Sequence, residues 1–167
     1  MKKAPNVVFG GISGALIIMF LYIGSIIPTN KIFLMGIAIG VGAIAYIKSG
    51  IKGGVTVYFA SSILGFLLVP NKLFVGMYII FGIYPLIKLL AERYSRLVEY
   101  IIKYASLNAL TLLSYFIYSK IVYLGPIFEN TYLILGFIIG LQILIFLFDF
   151  AFTKFIMFME DRVLKKI

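Results

Sequence analysis

Apolar stretches broken by short polar junctions run along nearly the whole chain. Their lengths predict six helices at roughly 7–27, 32–47, 53–69, 73–90, 104–118 and 131–153. Each is close to the ~20 residues that cross a ~30 Å hydrocarbon layer, and the second and third, at about 16–17, sit near the lower limit. Snorkelling lysines at their ends would relieve that mismatch. The junctions Pro28-Thr29-Asn30, Lys48-Ser49-Gly50 and Pro70-Asn71-Lys72 carry the residues expected at tight reversals between antiparallel helices. The predicted fold is an all-α integral membrane protein, one six-span bundle over 1–167, multi-pass in the plasma (inner) membrane.

A more polar segment follows the fourth stretch. Glu92/Arg96 and Glu99/Lys103 have the i,i+4 acid-first spacing that supports a helix. Tyr94, Leu97, Val98 and Ile101 fall on another face, which reads as a helix start resting on headgroups or as a docking surface for a partner. The segment 120–130 is the longest connection expected on the opposite side.

Composition agrees with the pattern. Hydrophobic residues are 63% of 167 and charged residues 13%, more apolar surface than a soluble domain of this size can hide. The formal charge of +9 comes from fifteen Lys and Arg against six Asp and Glu. On the six-span reading, Lys2, Lys3, Lys48, Lys52, Lys88, Arg93, Arg96, Lys103, Lys154, Arg162, Lys165 and Lys166 lie on one side and only Lys31, Lys72 and Lys120 on the other. Excess Lys and Arg in short loops marks the cytoplasmic side, so both termini are expected inside. Basic residues spread along span ends suit anionic headgroups rather than nucleic acid. Lys2 and Lys3 ahead of an apolar run resemble a signal peptide, but the run is too long for a signal core and reads as a retained first span.

Cysteine and histidine are both absent, which removes thiol nucleophiles, imidazole acid–base chemistry and Cys or His metal sites. No catalytic set, metal site or cofactor is expected, and the chain does not read as an enzyme. Asp149 is the one acidic residue near a span interior, and Lys154 or a cytoplasmic arginine is its expected partner.

Two constellations remain. Small residues recur at four-residue spacing: Gly10 with Gly14, Gly11 with Ala15, Gly36 with Gly40, Ala38 with Gly42, Gly136 with Gly140. Such spacing lets helix backbones approach closely in lipid. The cluster Gly10, Gly11, Gly14 and Ala15 is dense enough to serve a partner helix. The second constellation is polar: Asn30, Lys31, Asn71, Lys72, Glu129, Asn130 and Tyr132 at the outer ends, with Tyr78, Ser114, Tyr115 and Gln142 deeper. It reads as ordinary loop chemistry or as a small-molecule solute site. Gln142, about 18 Å into its helix at 1.5 Å per residue, is expected to face the bundle and pair with another helix or a ligand.

With these features in hand the chain resembles the substrate-binding S-components of energy-coupling-factor (ECF) vitamin transporters. The likeness covers nearly the whole chain in size, span number and terminus placement. In that family an Ala-x-x-x-Ala pattern in the first span contacts the coupling helices of a transmembrane subunit. Here Gly11-Ile12-Ser13-Gly14-Ala15 stands in that place, with glycine for the first alanine. Gly50-Ile51-Lys52-Gly53-Gly54 through Gly65, followed by 78–93, is similar in texture. The resemblance implies uptake of a small nutrient, bound between outer loops and inner helix faces, beside a coupling subunit and ATPase subunits that do the hydrolysis. A non-transporting membrane scaffold or assembly protein, similar to the MreD-type cell-shape proteins, is the competing expectation. A polar pocket would favour the carrier, and a centre filled with Leu, Ile and Phe the scaffold.

Overall fold

The computed structural model describes residues 3–120 and 131–162, which form helices and short turns with no strand among them. Helix α1 spans Lys3–Ile26, α2 Lys31–Leu68, α3 Lys72–Phe81, α4 Tyr84–Ala91, α5 Arg96–Ser119 and α6 Thr131–Arg162.

Helix α1 stops ahead of Pro28, and Asn30 takes a left-handed conformation at φ 63° before α2 begins. Asparagine is among the few non-glycine residues that adopt it routinely.

Helix α2 has 38 residues, and inside it Gly50 is non-helical at φ 74°, ψ 175°. The two arms fold back on each other there. Position 24 of α1 lies against Leu34, and Leu21 lies against position 65, with closest approaches of 3.3 and 3.5 Å to where a glycine Cβ would sit. A straight helix would hold residues 34 and 65 about 46 Å apart, yet both meet the same turn of α1. The ring of Tyr46 on the first arm covers Gly54 on the second, and Ser49 covers Gly53. Gly50 therefore carries the reversal that the sequence placed at Lys48-Ser49-Gly50, because its φ/ψ region is almost closed to residues with a Cβ.

Helices α3 and α4 follow one another with a step at Gly82 and Ile83, whose dihedrals stay near helical. Pro85 sits in the first turn of α4, where its missing N–H has no intrahelical partner to lose. The core is built from Ile17, Leu21, Ile39, Val69, Val75, Tyr78 and Tyr84, all buried. Phe59, Ile63, Leu67, Leu112, Phe116, Leu144, Leu147 and Phe150 point outward. So large an apolar exterior suits lipid rather than water.

Four stretches are long and apolar enough to cross a membrane: Val7–Ile26, Lys31–Leu68, Lys72–Ala91 and Ile139–Met159. The six separate spans expected from the sequence are thus four such stretches among the described residues. Two expected spans are the arms of α2. The fifth, expected at 104–118, belongs to α5, which is not among the four. Its polar residues explain this, with Lys103, Ser106, Asn108, Thr111 and Ser114 all on that helix.

The i,i+4 pair expected between Glu92 and Arg96 is also corrected. Helix α4 ends at Ala91 and α5 starts at Arg96, so the two residues do not share a helix. Glu99 and Lys103 do pair within α5. Tyr94, Leu97, Val98 and Ile101 are exposed.

Candidate functional site

The polar residues at the 28–31 and 70–72 junctions are explained first by local structure. Asn71 caps α3, its Oδ1 accepting from Phe74 N at 3.1 Å. Lys72 Nζ donates to the carbonyls of Phe66 (2.5 Å), Leu67 (3.3 Å) and Val69 (2.9 Å). These are the carbonyls a helix end leaves without partners, where a cation also complements the dipole. Asn30 is exposed at the α1–α2 junction and makes no side-chain cap; Lys31 opens α2 and is half-buried. The Phe74 ring lies 2.9 Å from the Cβ position of Gly24, so the junctions at 28–30 and 70–72 share one end of the molecule. Glu129 and Asn130 lie outside the described residues.

The deeper candidates divide between two interfaces. Tyr78 is buried, with its hydroxyl 2.9 Å from Ser61 Oγ, and joins α3 to the second arm of α2. Gln142 Nε2 donates to Asn108 Oδ1 at 2.7 Å and joins α6 to α5. The helix-to-helix pairing expected of Gln142 is found, but the residue is exposed on α6 rather than turned into the bundle. Ser114 Oγ donates to the Thr111 carbonyl of its own helix, a bond that competes with solute contact.

A cavity of 390 Å³ lies between α2, α3, α5 and α6, against Met35, Ile39, Phe81, Leu107, Leu141 and Phe148. Thr111 is the polar side chain on its wall, and its hydroxyl donates to the Leu107 carbonyl.

The small residues of α1 behave differently from a packed seam. A Cβ added at Gly11 or Gly14 would meet nothing within 4 Å. Gly10, Gly11, Gly14 and Ala15 line an open groove of 550 Å³ shared with Gly53, Thr56 and Ala60 of the second arm of α2. Of the three glycines only Gly10 is close to a neighbour, its Cβ position lying 3.3 Å from Val57. By contrast the Cβ position of Gly40 is filled by the Phe155 ring, 2.5 Å away, so that glycine is used within the fold.

The strongest polar cluster joins α4, α5 and α6. Asp149 Oδ1 accepts from Tyr84 Oη at 2.5 Å and from Lys88 Nζ at 3.0 Å; Lys88 Nζ also reaches Thr153 Oγ1 at 2.5 Å. Asp149 therefore pairs with Lys88, not with Lys154 or an arginine as expected. Lys154 instead lies over the Phe150 ring. The neighbouring Lys103 pairs with Glu99 and, at 3.7 Å, with Glu92. Burial works against the Lys103 ammonium, but the carboxylates of Glu99, Asp149 and Glu92 outweigh it and hold its pKa above the usual lysine value. Tyr84, Lys88 and Thr153 were not singled out from the sequence. The readable signal was a lysine in the apolar run 73–90, since an intramembrane cation seeks a buried partner. Every charge in the cluster is matched, so it holds three helices together rather than presenting a reactive group.

No group of three or more metal-ligating side chains occurs among the described residues. Comparisons of the chain with protein-family models, with curated proteins and with solved structures find no match.

Proposed function

We propose that this chain is a non-enzymatic, multi-pass subunit of the plasma (inner) membrane that works by seating a transmembrane helix of a partner against α1, in the manner of an ECF-type S-component beside its coupling subunit and ATPase subunits. The open face at Gly11 and Gly14 carries the reading. Close backbone approach is worth most where helices meet in lipid, and these two glycines have no neighbour of their own to accommodate. The expected outcome is that Gly11→Leu/Gly14→Leu, made in a tagged full-length chain, stays monodisperse in detergent but loses its copurifying membrane partner. An unchanged partner yield with a folded protein refutes the docking.

On this reading the helices form six spans with both termini in the cytoplasm, the arms of α2 counting separately and α3 with α4 as one. The twelve-to-three sorting of Lys and Arg supports that orientation. Because the chain has no cysteine, single cysteines report sidedness cleanly. Thr29→Cys and Pro70→Cys should react with an impermeant maleimide on intact cells, and Ser95→Cys only after permeabilisation. Labelling of Ser95→Cys from outside overturns the orientation.

A solute carried by such a subunit would be small and largely apolar, because the cavity between α2, α3, α5 and α6 is lined almost wholly by hydrocarbon. The second reading, a non-transporting scaffold or assembly protein, is favoured by the buried polar groups Tyr78 with Ser61 and Lys88 with Asp149 pairing with one another rather than converging on a cavity. Copurified ATPase subunits separate the readings: their presence supports the carrier, and a partner without ATPase subunits supports the scaffold.

A further inference from the structure

The turn at Gly50 leaves a second kind of cavity. A pocket of 680 Å³ opens beside it, lined by Tyr46, Ser49, Gly50, Lys52, Glu92 and Arg93 together with the apolar side chains of Ile47, Ile51, Leu89 and Ile156. It is the charged counterpart of the hydrocarbon cavity described above.

Three observations bear on its occupant. Tyr46 is only 2% exposed, and among the described residues its hydroxyl has no hydrogen-bond partner. The Ser49 hydroxyl is likewise buried and without a partner among the described residues. A buried hydroxyl with nothing to bond costs stability, and such orphans are commonly satisfied by a water, ion or ligand. Among the described residues the side chains of Lys52 and Arg93 have no ion pair, whereas Glu92, the acidic residue on the wall, is drawn toward Lys103. The unpaired charge at the pocket is therefore cationic, and two residues on its wall, Tyr46 and Ser49, carry buried hydroxyls that no described residue satisfies. In addition, helical geometry resumes at Ile51, so the pocket lies at the start of the second arm of α2.

We propose that this pocket binds a phosphate group, with Lys52 and Arg93 as charge partners and the Tyr46 and Ser49 hydroxyls as donors. Guanidinium and ammonium groups beside hydroxyl and amide donors are the usual complement of phosphate oxygens. Two sources offer that chemistry. One is the headgroup of an anionic phospholipid in the leaflet that faces the basic side of the molecule. The other is inorganic phosphate or a soluble phosphate ester. Of the residues on its wall only Ser49 also lines the α1 groove, whereas Tyr46, Lys52 and Arg93 do not, so loss of the proposed helix docking leaves the site standing.

The test uses the full-length chain in a neutral detergent, with native mass spectrometry reading retained phosphatidylglycerol against phosphatidylcholine and calorimetry reading inorganic phosphate. Lys52→Gln/Arg93→Gln should weaken binding at least about tenfold, since two charge-assisted contacts are lost. Tyr46→Phe, which keeps the ring over Gly54, should remain folded and bind several-fold more weakly. Lys120→Gln serves as a distant charge control and should bind as the parent does. Phosphatidylglycerol retention without phosphate binding supports the site and assigns it to a lipid headgroup; phosphate binding without lipid preference supports it and assigns it to a soluble ligand. Binding of neither probe by the parent overturns the proposal, as does equal retention by the Lys52→Gln/Arg93→Gln variant.

Discussion

Asp149→Ala is expected to destabilise the protein by about 3–5 kcal/mol, the usual cost of leaving one partner of a buried ion pair without its counter-charge. Lys88 is 2% exposed and would keep only Thr153 as a hydrogen-bonding partner, while Tyr84 would lose its acceptor altogether. The damage falls on the contact between α4 and α6. Removing both charges should behave differently. Lys88→Met/Asp149→Leu leaves no uncompensated charge and is expected to recover most of the loss, because apolar replacement of a whole buried pair is often neutral or better. Resistance to SDS unfolding of the purified chain measures both variants. An Asp149→Ala protein as resistant as the parent, or a double variant as weak as the single one, contradicts this account of the cluster.

Gly50→Ala is the second large effect, at about 1–3 kcal/mol, the cost of holding a Cβ-bearing residue in a sparsely populated backbone region. The dihedrals φ 74°, ψ 175° leave a side chain strained even though nothing lies within 4 Å of its Cβ position. The penalty is therefore one of conformation, not of space. Gly36→Ala makes the comparison fair, since that glycine also has open space around it but lies within regular helix. There alanine should be neutral or stabilising by up to about 1 kcal/mol. Equal SDS resistance of the two variants would show that α2 does not depend on Gly50 to fold back.

How far these features could be read from residue order varies with their range. The apolar runs and their ends were legible because each depends on neighbours a few residues away. Proline and asparagine at 28–30 and at 70–71 mark junctions by local backbone preference, and the helices stop there. The Glu99–Lys103 pair was legible for the same reason, being one turn apart on one helix. The Glu92/Arg96 pair failed because four-residue spacing matters only if the helix is unbroken, and it is broken between Ala91 and Arg96. Gln142 could be assigned a partner helix in general but not Asn108 in particular, which lies 34 positions away. The misplaced partner of Asp149 has the same origin. Lys154 is nearby in the chain, but Lys88, 61 residues distant, is what α4 delivers to it.

By itself the sequence determined a chain of apolar helices with no thiol or imidazole for chemistry, since composition and local pattern decide solvent preference and helix ends. Only the tertiary structure decided that α2 doubles back at one glycine, that Gly11 and Gly14 face open space while Gly40 is filled, and that Tyr46, Ser49, Lys52 and Arg93 line one pocket beside the turn. Those facts depend on which helix faces which, and that is settled by the packing of residues far apart in the chain.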